Sequence, residues 1–186
     1  MDTKPGFARE LYDWMKHIVY VFVCFVCLFL FGAGNFTVVS ASMAETIQID
    51  ERVMVARFPF TPERGDIIMF SKHDWQVSYD SGTGQYTPIV KRVIGLPGDT
   101  LDFIDGALYI NDEKQDEMYV RETVWAWRGD MITPLTVPEG CVFVMGDNRN
   151  NSHDSRFRDV GFVDIRSILG RVIWRVAPFR RFGPVS

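Results

Sequence analysis

Three cysteines and three histidines are all that this chain of 186 residues offers to a disulfide framework or a metal site. Cys24 and Cys27 lie inside an apolar run and Cys141 stands alone, so no bridged scaffold is expected. In a lipid-like stretch Cys24-x-x-Cys27 reads as two small apolar residues. His17, His73 and His153 are far apart, which argues against a histidine-built zinc site; neither metal nor cofactor is expected. Positive charge is not in excess either: 20 Lys and Arg stand against 24 Asp and Glu, a formal net charge of −4. No long basic run occurs, so a nucleic-acid partner is set aside. There is no internal repeat and no low-complexity tract. With 47% apolar residues, the chain has room for one domain with its own core, or for an anchor plus a compact domain of about 140 residues.

From Ile18 to Val39 no residue is charged. As a helix that run would rise about 33 Å, against a hydrocarbon core of about 30 Å. Its densest part, Ile18 to Phe31, is also the size of a signal peptide's apolar region, so hydropathy alone leaves anchor and signal peptide both open. Lys4, Arg9 and Lys16 precede the run, and Arg52 and Arg57 are the nearest positive residues after it; this asymmetry points to a cytoplasmic N-terminus. The expected organisation is a cytoplasmic segment at 1–17, a single transmembrane anchor at 18–39 in contact with lipid, and an extracytoplasmic domain at 40–186 on the outer face of the cell membrane.

Beyond the run, short segments rich in Val, Ile and Phe are punctuated by Gly, Pro and Asp, the pattern of an all-β domain. The expected strands are "RVMVARF", "GDIIMFS", "PIVKRVIG", "TLDFI", "ALYIN", "CVFVMG" and "RVIWRV". Asp105-Gly106 between two alternating runs predicts a two-residue hairpin turn. Residues 72–87 read as an exposed loop or hairpin tip, and 112–140 as an irregular excursion. Within it, Trp125 and Trp127 suit either core packing or a membrane interface.

Three stretches carry candidate chemistry. In "VVSASMAET" the small-x-small spacing behind an apolar run matches a signal-peptide cleavage junction, yet Ser42, with Ser40 beside it, is equally placed to be a nucleophile. In "PIVKRVIGLPGDT", Lys91 lies within a strand, on the face shared by Ile89 and Val93, with Arg92 on the other. A strand lysine on a solvated face is the plain reading; on an interior face, desolvation would lower its pKa and let it act as a base. The third stretch, "MGDNRNNSHDSRFRDVG", is dense enough in hydrogen-bonding side chains to form a buried polar network. Its local Ser152-His153-Asp154 run is no catalytic triad, because adjacent side chains rarely converge.

Together these stretches resemble the bacterial type I signal peptidases, membrane-anchored serine proteases with a Ser/Lys dyad. "SASMAETI" looks like the family's S-x-S-M-x-P-T-L box, "VKRVIGLPGD" like its lysine region and "VPEGCVFVMGDNRNNSHDSR" like its terminal box. The resemblance runs from the anchor to about Val176. It implies a mainly β fold, an N-terminal transmembrane helix followed by a compact all-β catalytic domain, and cleavage of signal peptides from exported preproteins. Ser42 would be the nucleophile and Lys91 the general base. The Ser42 N–H and the Ser40 hydroxyl would form the oxyanion hole, and Ser152 and Asp154 would support the dyad, Ser152 by bonding the lysine. Asp147, Arg149 and Arg156 would be structural members of the network, and Met43 would line the substrate site. Three positions depart from the pattern: Glu45 replaces a proline, removing a fixed φ beside the nucleophile, Ala41 stands where glycine is frequent, and Asp164 replaces another proline. Glu45 gives some weight to an alternative, an inactive membrane-tethered relative that binds exported proteins without cutting them.

Overall fold

The computed structural model describes residues 7–57, 59–71, 79–80, 85–86, 88–120 and 129–185. The first element is α1 (Phe7–Gly32). Its large apolar side chains from Leu11 to Phe25 are exposed around the whole helix, Trp14 by 72% and Val21 by 70%. Among the described residues, no helix is long and apolar enough to cross a membrane. The expectation of one helical run over 18–39 is corrected at both ends: the helix begins earlier, and after Gly32 the chain turns into strand β1 (Ala33–Thr37). Gly32, Gly34 and Asn35 are poor helix formers, and the extended chain is captured by β2 (Arg52–Ala56). The two pair antiparallel from Ala33 opposite Ala56 to Thr37 opposite Arg52. The Arg57 N–H satisfies the last helical carbonyl, Gly32, at 3.0 Å.

The remaining strands are β3 (Ile67–Phe70), β4 (Tyr79–Asp80), β5 (Gln85–Tyr86), β6 (Ile89–Gly95), β7 (Thr100–Ile104), β8 (Ala107–Ile110), β9 (Glu113–Lys114), β10 (Leu135–Thr136), β11 (Cys141–Met145), β12 (Val163–Asp164), β13 (Ile168–Ala177) and β14 (Gly183–Pro184). Each strand expected from the sequence is present. The principal sheet runs β1-β2-β13-β3-β6-β11-β12, with β14 added to β13; a second sheet runs β10-β7-β8-β9. The turn between β7 and β8 has positive φ at both central residues, +50° at Asp105 and +82° at Gly106, the mirror-image geometry that matches strand twist. Of the polar stretch 72–87, the described residues include β4 and β5, paired with each other. The excursion at 112–140 contributes β9 and β10, and Trp125 and Trp127 lie outside the described residues.

The centre of the principal sheet is covered on both faces. All four residues of β3 are buried, and so are Val142 to Met145 of β11. Ile68, Phe70, Val93, Val142 and Val144 form one apolar cluster, while Ile67 and Met69 join Met43, Ile47, Val53 and Val55 in another. Strand β6 lies between β3 and β11, with Lys91 opposite Ile68 and Arg92 opposite Ile67. Successive residues of a strand point to opposite faces. In a sheet covered on both sides, two neighbouring charges are therefore both taken out of water, and Lys91 and Arg92 are each 3% exposed.

Candidate active site

The loop carrying Ser42 leaves β1 and makes a single 3-10 turn at Ala41–Met43. Met43 and Ile47 anchor it in the core, at 1% and 0% exposed. The Thr46 and Ile47 N–H groups both donate to the Met43 carbonyl, at 2.9 and 2.6 Å. From the polar box, Asn148 donates its backbone N–H to the Ser42 carbonyl at 3.0 Å and its side-chain amide to the Ala41 carbonyl at 3.1 Å. The Thr46 hydroxyl bonds Asp147 Oδ2, and the Thr46 carbonyl accepts from Arg175 and Arg181 at 2.6 and 3.2 Å. Where Glu45 removes a proline's fixed φ, the loop is held on both sides by long-range hydrogen bonds.

Ser42 and Lys91 come together from 49 residues apart, Lys91 Nζ to Ser42 Oγ at 2.6 Å. The Ser40 hydroxyl lies 3.3 Å from Ser42 Oγ. Burial lowers the Lys91 pKa from the ordinary 10.5 to about 8. The Asp154 and Asp147 carboxylates oppose that shift and the Arg156 charge assists it. The pair lies on a cavity of about 320 Å³, bounded by the run from Phe36 to Met43 on one side and Pro88 to Lys91 on the other, with Asn151 and His153 at its rim. Met43 belongs both to this lining and to the core beneath it.

The polar box forms three charge pairs, two of them buried on both sides and the third half-buried at Glu117. Asp147 binds Arg92 through two bonds, at 2.8 Å to Nε and 2.7 Å to Nη2. Asp154 binds Arg156 Nε at 2.8 Å and also accepts from the Gly146 N–H and the Ser152 hydroxyl, at 2.9 and 2.6 Å. Burial by itself raises the Asp154 pKa, but the Arg156 partner, Ser152 and the Gly146 N–H together hold it below the usual carboxylate range. Arg149 pairs with Glu117. Ser152, expected to bond the lysine, directs its hydroxyl to Asp154 instead. The carboxylate is the stronger acceptor, and the lysine is already engaged with Ser42. Reasoning from sequence placed Arg92 only on the face opposite Lys91 and Asn148 only within the dense polar box, and passed over Thr46, Gly146, Glu117 and Tyr119. For Arg92 there was a signal: a Lys-Arg pair in the middle of an apolar strand must bury both members once both faces are covered.

Gly146 is required by proximity. A Cβ there would lie 2.3 Å from Ser152 Oγ and 2.4 Å from the Ser42 carbonyl. Gly146→Ala is expected to destabilise the fold by about 1–3 kcal/mol through overpacking and, by displacing Ser42, to lower any reaction at its hydroxyl about 10²-fold. Thermal unfolding and an activity assay on the same preparation check both. An alanine variant with full activity would mean that the loop has slack.

A hydroxyl bonded to a desolvated amine at an open cleft defines a class of site, one equipped for nucleophilic attack by an activated serine. The family described as "Signal peptidase, peptidase S26" matches residues 11–177, and the chain belongs to that family of enzymes. It is similar to signal peptidase I of Leptolyngbya laminosa, 35% identical over 99% of this chain and 88% of that protein. It is similar too to signal peptidase IB of Staphylococcus aureus, 33% identical over 94% of this chain and 93% of that one. Among solved structures, a signal peptidase I from Enterococcus faecalis is 35% identical, with a TM-score of 0.47 over 61% of this chain and 98% of its own.

Proposed function

We propose that the protein is a membrane-bound serine endopeptidase that removes N-terminal signal peptides from exported preproteins, with Ser42 as nucleophile and Lys91 as general base. The observation that carries this reading is the 2.6 Å contact between Lys91 Nζ and Ser42 Oγ in a site that disfavours the ammonium form. A preprotein lies in the cleft between Phe36–Met43 and Pro88–Lys91. Neutral Lys91 takes the Ser42 proton as Oγ attacks the scissile carbonyl, and the oxyanion is met by the Ser42 N–H and the Ser40 hydroxyl. The lysine then gives its proton to the leaving amine. Water, deprotonated by the same lysine, attacks the acyl-enzyme ester and frees Ser42. Asp154, which favours the protonated lysine, stabilises Lys91 once it has taken the Ser42 proton, and Ser152 acts through Asp154.

Membrane attachment is proposed from α1, whose apolar side chains from Leu11 to Val23 stand exposed among the described residues. Burial in lipid would satisfy them, with the N-terminus cytoplasmic and the β domain on the outer face. The alternative, a tethered relative that binds without cutting, is not favoured, since Ser42 and Lys91 are both present and in contact.

The test is cleavage of a preprotein by the purified full chain in detergent, with Ser42→Ala and Lys91→Ala alongside. The parent is expected to cut at the signal-peptide junction, both variants to be inactive, and kcat/KM to rise with pH through about 8 as Lys91 loses its proton. An inactive parent, undiminished cutting by either variant, or a rate that falls as pH passes from 7 to 9 would sink the assignment.

A further inference from the structure

We propose that Glu117 and Tyr119 are positioning residues for the Ser42 centre: a carboxylate and a ring, delivered by the segment between β9 and β10, that clamp Arg149 and Arg92 and so hold the loop against which Ser42 rests. This inference depends on the reading of Ser42 and Lys91 given above.

Three observations support it. The first is that, among the described residues, Arg149 pairs with Glu117 alone: Asp147 is taken by Arg92 and Asp154 by Arg156. With its side chain 1% exposed, Arg149 places both terminal nitrogens on Glu117, Nη1 to Oε2 at 2.6 Å, and its Nε on the Gly146 carbonyl at 3.2 Å. Gly146 has no free space on its Ser42 side, so where Arg149 holds Gly146 decides where the Ser42 carbonyl lies.

The second is the ring. The Tyr119 hydroxyl donates to the same carboxylate at 2.8 Å. The Arg92 guanidinium lies 4.1 Å from the ring centroid and that of Arg149 lies 5.9 Å away, within the range of a cation–π contact. Glu117 and Tyr119 thus touch both arginines, one following Lys91 on β6 and the other behind Ser42.

The third is charge. Three buried guanidiniums, Arg92, Arg149 and Arg156, meet three carboxylates, Asp147, Asp154 and Glu117. Among the described residues, that balance leaves Lys91 as the buried amine of the site, with the more exposed His153–Asp159 pair also at the cleft, and a positive floor would oppose proton uptake by Lys91 from Ser42. Lys91 is influenced most by Asp154, Arg156 and Asp147, with Arg92 next to it on β6.

The experiment uses the full chain in detergent with a preprotein substrate, measuring kcat, KM and the pH profile of kcat for Glu117→Ala, Glu117→Gln and Tyr119→Phe, with the parent and Ser42→Ala as controls. Glu117→Ala is expected to lower kcat about 10²-fold, the scale of a misplaced reacting group, with KM unchanged. Its acid limb should lie at lower pH than the parent's, because a more positive floor disfavours protonated Lys91. Glu117→Gln, which keeps an acceptor for Arg149 but not the charge, is expected to recover part of kcat while retaining the displaced limb. Tyr119→Phe, which keeps the ring, is expected to lose less than Glu117→Ala. Should the alanine variant not fold, the glutamine variant decides. Parental kcat and limb in Glu117→Gln, or a loss that only tracks the unfolded fraction with the limb unmoved, overturns the positioning role while leaving the proposed function intact. A parent that does not cleave overturns both.

Discussion

Lys91→Met is expected to abolish cleavage, by about 10⁴-fold or more on the scale of removing one member of a coupled catalytic set, and to make the protein more stable. A lysine whose folded pKa is depressed to about 8 from 10.5 carries, while protonated, a penalty of about 3 kcal/mol. The sign follows from which state binds more protons. Between pH 8 and 10.5 the unfolded chain keeps a proton that the folded chain has lost, so parental stability rises with pH across that window; below pH 8 the penalty is present in full. Methionine fills the same space without a charge, so its advantage is greatest at neutral pH and shrinks toward pH 10. Thermal melts of both proteins at pH 7 and 9.5 check this, the expected gap at pH 7 being several degrees. Equal midpoints at pH 7 would show that burying the amine costs the fold nothing.

Asp154→Ala should act in the opposite direction and as strongly. Its carboxylate gathers the Gly146 N–H, the Ser152 hydroxyl and Arg156. Alanine would leave Arg156, 1% exposed, as an unpaired buried charge, a loss of about 3–5 kcal/mol. A thermal midpoint lower by about 10 °C would follow. The double variant Asp154→Ala/Arg156→Met separates fold from function: removing the orphaned charge should restore most of the midpoint, while cleavage stays low because Gly146 and Ser152 still lack their acceptor. If the double variant melts as low as the single one, the damage lies in lost packing and not in the charge.

Much of the scaffold could be read from the chain because its signals are local. Short runs rich in Val, Ile and Phe, bounded by Gly, Pro and Asp, marked β2, β3, β6, β7, β8, β11 and β13, and Asp105-Gly106 marked its hairpin. Strand β1 was hidden, because uncharged residues after Gly32 fit a lipid span as well as a strand until β2 is there to pair with them. Ser42 and Lys91 could be picked out by kind and by resemblance, but their approach across 49 residues is a property of the sheet. The partner of each buried charge was less accessible still. Arg92 and Asp147 are 55 residues apart, and Glu117 and Arg149 are 32 apart; no spacing rule links them. Ser152 shows the limit from the other side: its place near the centre was expected, its acceptor was not, since only the folded geometry decides which neighbour it meets.

The direct joining of α1 to β1 has a mechanical consequence. Arg57 bonds the last helical carbonyl and β2 is paired along all of β1, so no slack tether separates the helix from the sheet. With α1 seated in the bilayer as proposed, the protein works as a depth gauge: Ser42 follows Gly32 by ten residues, at most about 33 Å of extended chain, much of it stiffened by pairing. The height of Ser42 above the lipid would then be limited by that length of chain.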